Sequence, residues 1–139
     1  MFRSRPATQA DTAFWAALDP HIAREELLRK MRDGRCRLLE QDGAPVGVMR
    51  YNLFWDSIPF LTMLILLAPY RGAGLGRQAM AQWEGEMRSL GYPCVMTSTQ
   101  SDEDAQHFYR KLGYRDAGCL LLDIPQIRQP MEILLIKAL

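Results

Sequence analysis

Cysteine is scarce in this 139-residue chain: Cys36, Cys94 and Cys119 are odd in number and widely spaced. There is no C-x-x-C pair, so neither a disulfide framework nor a zinc site is indicated, and three buried, reduced thiols are expected. An excess of charge is also missing. With a formal net charge of +1 the chain has no global field to gather nucleic acid or an anionic membrane, and neither is expected as a partner. No apolar run approaches the length of a membrane span, and Met1-Phe2-Arg3-Ser4-Arg5-Pro6 lacks the apolar stretch of a signal peptide. A cytoplasmic location is the expectation. Repeats, low-complexity stretches and charge blocks are absent too, which predicts one domain over residues 1–139. The apolar fraction of 48% and charged fraction of 24% are those of an ordinary globular protein.

What is present is an alternation of strand and helix patterns. Residues 2–5 read as a short strand. Asp11–Leu18 reads as a helix capped by Asp11, and Asp19-Pro20 as the start of a second helix with proline at its first position. In that second helix Ala23, Leu27, Leu28 and Met31 form the apolar stripe, while Glu25/Arg29 and Glu26/Lys30 are i,i+4 pairs on the wet side. Arg35–Gln41 and Val46–Phe54 read as strands joined by the turn Asp42-Gly43-Ala44-Pro45. Phe60–Leu67 is an almost wholly apolar third strand, the pattern of burial on both faces. A helix from Gly74 to Leu90, a strand over Cys94–Ser98, a helix capped by Ser101 or Asp102 and ended by Gly113, and closing strands at 114–122 and 131–137 complete the order βααβββαβαβ(β). The class is α/β (α+β), a mixed central sheet flanked by helices.

The run Leu64–Arg77 carries the most chemistry. An apolar strand feeds the sequence Arg71-Gly72-Ala73-Gly74-Leu75-Gly76-Arg77, which opens into an amphipathic helix. Glycines let a ligand approach the backbone, and the first helical turn offers unpaired N–H groups at the positive end of the dipole. Such an elbow suits a phosphate or diphosphate; the plainer reading is a tight turn that needs glycine only for its φ angles. A Walker loop would require Gly-Lys-Ser/Thr, whereas Gly76 is followed by Arg77-Gln78. Neither frame of glycines gives the G-x-G-x-x-G of a dinucleotide fold. What remains is Arg71-x-x-Gly74-x-Gly76.

Downstream, Asp102-Glu103-Asp104-Ala105-Gln106-His107-Phe108-Tyr109-Arg110-Lys111-Leu112-Gly113-Tyr114 forms a second motif. Together and in this order, the two motifs resemble those of the GCN5-related N-acetyltransferase superfamily. That resemblance implies acetyl-CoA as co-substrate, with no metal, and direct attack of an amine on the thioester. It assigns the diphosphate to the main-chain amides of Gly72, Ala73, Gly74, Leu75, Gly76 and Arg77, with the Arg71 and Arg77 side chains able to add charge-assisted contacts. It assigns pantetheine and the acetyl carbonyl to Leu64, Ile65 and Leu66. Asp102 stands where the superfamily has an asparagine that contacts the cofactor.

Tyr109 matches the superfamily tyrosine that serves the departing thiolate as general acid, and also contacts the cofactor. Helical spacing places it on the inward face with Ala105 and Leu112, where a satisfied core tyrosine is the alternative; His107 falls off that face. The base is less defined. An alkyl ammonium is neutral only about one part in two thousand at pH 7, so its proton needs an acceptor. The glutamate that some relatives carry falls here at Thr97, which cannot be a base. Asp56 is the alternative, against its reading as a turn residue. Acceptor selectivity is expected from Tyr51, Phe54, Trp55 and Asp56 together with Phe60 and the first two helices, some of these rings being core. The reading is an N-acetyltransferase acting on a small-molecule or peptide amine, compatible with a homodimer. The rival is a non-catalytic acyl-CoA sensor of the same fold.

Overall fold

Nine strands and four α-helices are described over Met1–Leu139 in a computed structural model, in the predicted order except for two short strands between the closing pair. They are β1 (Phe2–Pro6), α1 (Thr12–Leu18), α2 (Arg24–Arg32), β2 (Cys36–Gln41), β3 (Ala44–Phe54), β4 (Ile58–Leu66), α3 (Leu75–Ser89), β5 (Cys94–Gln100), α4 (Ala105–Lys111), β6 (Arg115–Leu120), the two-residue β7 (Asp123–Ile124) and β8 (Ile127–Arg128), and β9 (Glu132–Ala138). Seven strands form one mixed sheet in the order β1-β2-β3-β4-β5-β9-β6, and β7 and β8 form a separate ribbon. The chain divides into two compact units: Met1–Asn52 with Thr62–Gly85, and Leu53–Leu61 with Glu86–Leu139.

In the first unit β1 and β2 pair antiparallel from Phe2↔Gln41 to Pro6↔Arg37, and β2 pairs antiparallel with β3. The β2–β3 turn is tighter than expected. Gln41 pairs with Ala44, leaving Asp42 and Gly43 as a two-residue turn at φ 51° and 82°. Both angles are left-handed, which Asp-Gly tolerates. Ala7, Trp15, Leu27, Cys36, Leu38 and Val48 make the buried core, with Phe14, Leu18, Ile22, Met31 and Ile65 packed around it.

Polar side chains depart from their predicted local roles. Asp11 does not cap α1 with its carboxylate. It accepts both terminal nitrogens of Arg5 at 2.9 Å and the Thr8 N–H at 2.8 Å, and its carboxyl is held below the ordinary range chiefly by the Arg5 bond. Asp19-Pro20 does not open α2, whose N-cap is Ala23. Asp19 is instead buried and accepts Arg50 Nε at 2.8 Å, Trp15 Nε1 at 3.2 Å and the His21 N–H at 3.3 Å. On α2, Glu25 faces Arg29 at 3.8 Å as predicted, but Glu26 also pairs with Arg29, at 2.8 Å. Lys30 turns inward to donate to the Tyr51 carbonyl at 3.1 Å, and burial lowers its pKa.

In the second unit β5 and β9 pair antiparallel over Cys94↔Ala138 to Gln100↔Glu132, and β6 runs antiparallel along β9 with a bulge between Asp116 and Gly118. The parallel pairing of β4 with β5 is made by Phe60↔Met96 and Leu61↔Thr97. Tyr109 packs edge-on to Phe108 at 5.1 Å and to Tyr114 at 5.6 Å. The three thiols are free, yet only Cys36 is buried; Cys94 is half-buried and Cys119 exposed. Cys36 lies among apolar neighbours, and burial pushes its thiol up to about 12.

Candidate active site

The elbow after β4 is built from main chain. The strand ends at Leu66, a single 3-10 turn covers Ala68–Tyr70, and Gly72 and Gly74 then adopt φ of 79° and 83°. Side chains rarely occupy those left-handed angles, so here the conformation itself requires glycine. The first α-helical bond of α3 is Gln78 N–H to Gly74 O at 3.1 Å. The amides of Leu75, Gly76 and Arg77 therefore lie in the unpaired first turn, at the positive end of a 15-residue helix. Gly76 is inside the helix, and its φ is not left-handed. Arg71 braces the turn by donating Nε to Leu66 O at 3.0 Å, which leaves its two terminal nitrogens, and Arg77 is exposed. Leu64, Ile65 and Leu66 are only half-buried, so this part of β4 lacks the full two-sided burial its sequence suggested. At its neighbour β3, Gly47 lets the strand close up: a Cβ there would stand 2.6 Å from Ile65 O.

In the second unit Tyr109 is 7% exposed on the inner face of α4, as the helical spacing predicted. Burial pushes its phenol up to about 12, while a hydrogen bond with the Thr97 side chain pulls it down and the Glu103 charge adds a smaller upward push. Thr97, also buried, donates its own hydroxyl proton to Leu61 O at 3.0 Å. Two residues along β5, on the same face, Thr99 carries a buried hydroxyl with no hydrogen-bond partner.

Several predicted positions fall elsewhere. Asp102 is exposed in the turn ahead of α4 and neither it nor Ser101 caps that helix, which begins at Ala105 after Asp104. The turn is tied instead by Glu103, whose carboxylate accepts the Gln100 N–H at 3.1 Å. Asp56 and Trp55 are the central residues of the β3–β4 turn, at φ 60° and 52°. Asp56 lies five positions before Leu61, at most roughly 16 Å along an extended chain, so the turn does not bring it to the β4–β5 pairing at Thr97. Tyr51 is a core residue, buried with its ring 5.6 Å from Trp83. Phe54 lies between Trp55 at 4.7 Å and Phe60 at 6.1 Å. His107 is exposed. A cavity of about 410 Å³ is lined by Ala7, Thr8 and Gln9 with Leu28, Met31 and Arg32 of α2, one of the two helices expected to wall the acceptor; the elbow residues, Tyr109 and Asp56 are not in its lining.

The model of the acetyltransferase (GNAT) family matches residues 5–114, a span that includes the glycine elbow and runs to the end of the Tyr109 motif. The chain belongs to this family. The acetyltransferase is 31% identical over 130 residues to the aminoalkylphosphonate N-acetyltransferase of Salmonella typhimurium, covering 81% of this chain and 84% of that one. Its fold matches Naa50 of Arabidopsis thaliana, solved with a bisubstrate analogue of CoA and a peptide, at a TM-score of 0.82 with 16% identity over 99% of both chains. It also matches the ribosomal-protein-S18-alanine N-acetyltransferase of Escherichia coli at 0.82, with 14% identity over 99% of this chain and 94% of that one. An acetyltransferase of the same family from Elizabethkingia anophelis, solved with acetyl-CoA, superposes at 0.77 with 15% identity over 99% and 98%. The protein is an acetyl-CoA-dependent N-acetyltransferase. No group of three or more His, Cys, Asp or Glu in it is placed to hold a metal ion.

Proposed function

We propose that residues 1–139 work as one acyl-CoA-binding domain that transfers acetyl from acetyl-CoA to the primary amine of a small molecule. The elbow amides hold the diphosphate, and Tyr109 serves the departing thiolate. The observation that carries this reading is the burial of the Tyr109 phenol, 7% exposed on α4; burial pushes its pKa up to about 12, so it stays protonated throughout the neutral range. A phenol so weakly acidic does not surrender its proton outright to a thiolate of pKa about 8.5. Its contribution is a charge-assisted hydrogen bond to the sulfur as charge develops. Net protonation of the thiolate then draws on the proton that the acceptor amine releases through water.

The small-molecule acceptor rests on the relative that acetylates aminoalkylphosphonates, which aligns over most of both chains. A peptide amine is the second reading, favoured by the fold likeness to an enzyme solved with a CoA–peptide analogue and to a ribosomal-protein-S18-alanine N-acetyltransferase. Thiol release from acetyl-CoA across aminoalkylphosphonates, other small amines and peptides distinguishes the two. Binding of CoA without turnover on any acceptor would instead establish a sensor. Tyr109→Phe is expected to lower kcat about 10²-fold or more while KM for acetyl-CoA stays within about two-fold. Full turnover by that variant would remove Tyr109 from the mechanism.

A further inference from the structure

We infer that Thr99 is a cofactor-binding residue, its hydroxyl donating to an amide carbonyl in the pantetheine arm of acetyl-CoA. The inference rests on the reading of Tyr109 as the group beside the sulfur, and it adds a contact to the arm that ends there.

The placement of Thr99 follows from β5 and its neighbours, all within one compact unit. Side chains alternate along a strand, so Val95, Thr97 and Thr99 share one face of β5. All three are buried, and their partners on β9 are Lys137, Leu135 and Ile133. Lys137 Nζ stands 5.7 Å from the centre of the Tyr114 ring, and Tyr114 meets Tyr109 edge-on at 5.6 Å. These contacts seat Tyr109 over the same face, with α4 packed on β5. Thr99 lies one pleat beyond Thr97, roughly 7 Å further along the strand. Pairing of β4 with β5 stops at Leu61↔Thr97, whereas β9 accompanies β5 as far as Gln100. Thr99 therefore sits just past the last strand pairing on the β4 side.

The chemistry of the position selects the ligand group. Thr99 is 5% exposed, and its hydroxyl has no hydrogen-bond partner. Its cross-strand neighbour Ile133 has no polar side-chain atom to offer. Thr97 contrasts with it, since its proton goes to Leu61 O at 3.0 Å. A threonine hydroxyl has one proton to place, so the missing partner must be an acceptor. A protonated amine only donates; once neutral, it directs its lone pair at the thioester. A phosphate would bring negative charge onto a face of Val95, Leu135 and Ile133, where nothing offsets its desolvation. A neutral carbonyl fits in both charge and hydrogen-bond type. The pantetheine arm that leads to the sulfur of acetyl-CoA carries two amides. Binding then offsets a cost that the ligand-free fold sustains. No proton is transferred, and no covalent bond is made or broken at Thr99.

The test titrates the unaltered protein, Thr99→Val and Thr99→Ser with CoA and with acetyl-CoA by calorimetry, and unfolds each in urea without ligand. Valine keeps the β-branched shape suited to the strand. Thr99→Val is expected to raise the Kd for CoA and for acetyl-CoA alike, by about five- to ten-fold, while its urea midpoint rises. Thr99→Ser should restore the affinity. Weaker binding by a more stable protein is a pair of signs that a packing role does not produce. An unchanged Kd for both ligands, or a lower urea midpoint in Thr99→Val, would overturn the inference. A loss confined to acetyl-CoA would overturn it too, by moving the contact to the acetyl group. Failure of the underlying reading shows separately, as full turnover by Tyr109→Phe.

Discussion

Thr99 illustrates how a single buried atom reports on the site. Its hydroxyl has been taken out of water without receiving a partner, an arrangement that costs about 1–3 kcal/mol. Thr99→Val is accordingly expected to stabilise the ligand-free protein by about 1 kcal/mol, read as a higher urea midpoint at unchanged m-value. Neighbouring side chains differ in how far the sequence foretold them. The inward direction of Tyr109 follows from its spacing to Ala105 and Leu112, since the helical period alone decides it. The influence of Thr97 on its phenol does not, because it links a helix to a strand twelve positions away and no local period joins them. Asp19 was misread as a helix start, and Asp11, which does stand at the N-cap of α1, makes no side-chain cap bond there for a related reason. A carboxylate beside a helix start takes its local cap only when no arginine competes, and here Arg50 and Arg5 do.

At the level of elements, the elbow depends on how closely β4 lies against β3. Gly47 meets Ile65 O and the Leu66 side chain so tightly that an added methyl would stand 2.6 Å and 2.8 Å from them. The first of these is backbone and cannot yield cheaply. Gly47→Ala is expected to destabilise the protein by roughly 2–3 kcal/mol, measurable by denaturant unfolding, and to raise the Kd for CoA in calorimetry. The glycines at 72 and 74 were legible as turn formers, and the structure gives each a left-handed φ. Gly47 was not legible, because the need for it arises from a neighbouring strand. Element order and most strand bounds were recovered from periodicity. The ends that moved are those at α2 and α4, where polar residues supplied more candidate caps than the helices used.

For the whole molecule, a net charge near zero leaves pH dependence to a few perturbed groups. Asp11 has a lowered carboxyl pKa in the folded state, so its contribution to stability is present above the ordinary carboxylate value and disappears as pH falls through the folded one. Tyr109 acts at the other extreme. Its phenol ionises more readily once unfolded, so stability declines as pH rises above about 10. The expected melting-temperature profile is a plateau with shoulders below about pH 4 and above about pH 10. Arg5→Leu should flatten the acid shoulder, and Tyr109→Phe should reduce the alkaline one without abolishing it, because the buried Cys36 thiol contributes to the same decline. Catalysis should increase toward alkaline pH as the acceptor amine loses its proton, with no descending limb from Tyr109 below about pH 10.

The three indoles divide unequally: Trp15 and Trp83 are 0% and 2% exposed, whereas Trp55 is 78% exposed at its hairpin tip. The protein thereby contains its own optical contrast. Iodide should extinguish the red-shifted emission of one fluorophore and spare the blue-shifted light of the other two. A molecule settling on the Phe54–Trp55 tip would shield that one component, so binding at this tip can be followed by fluorescence without any label.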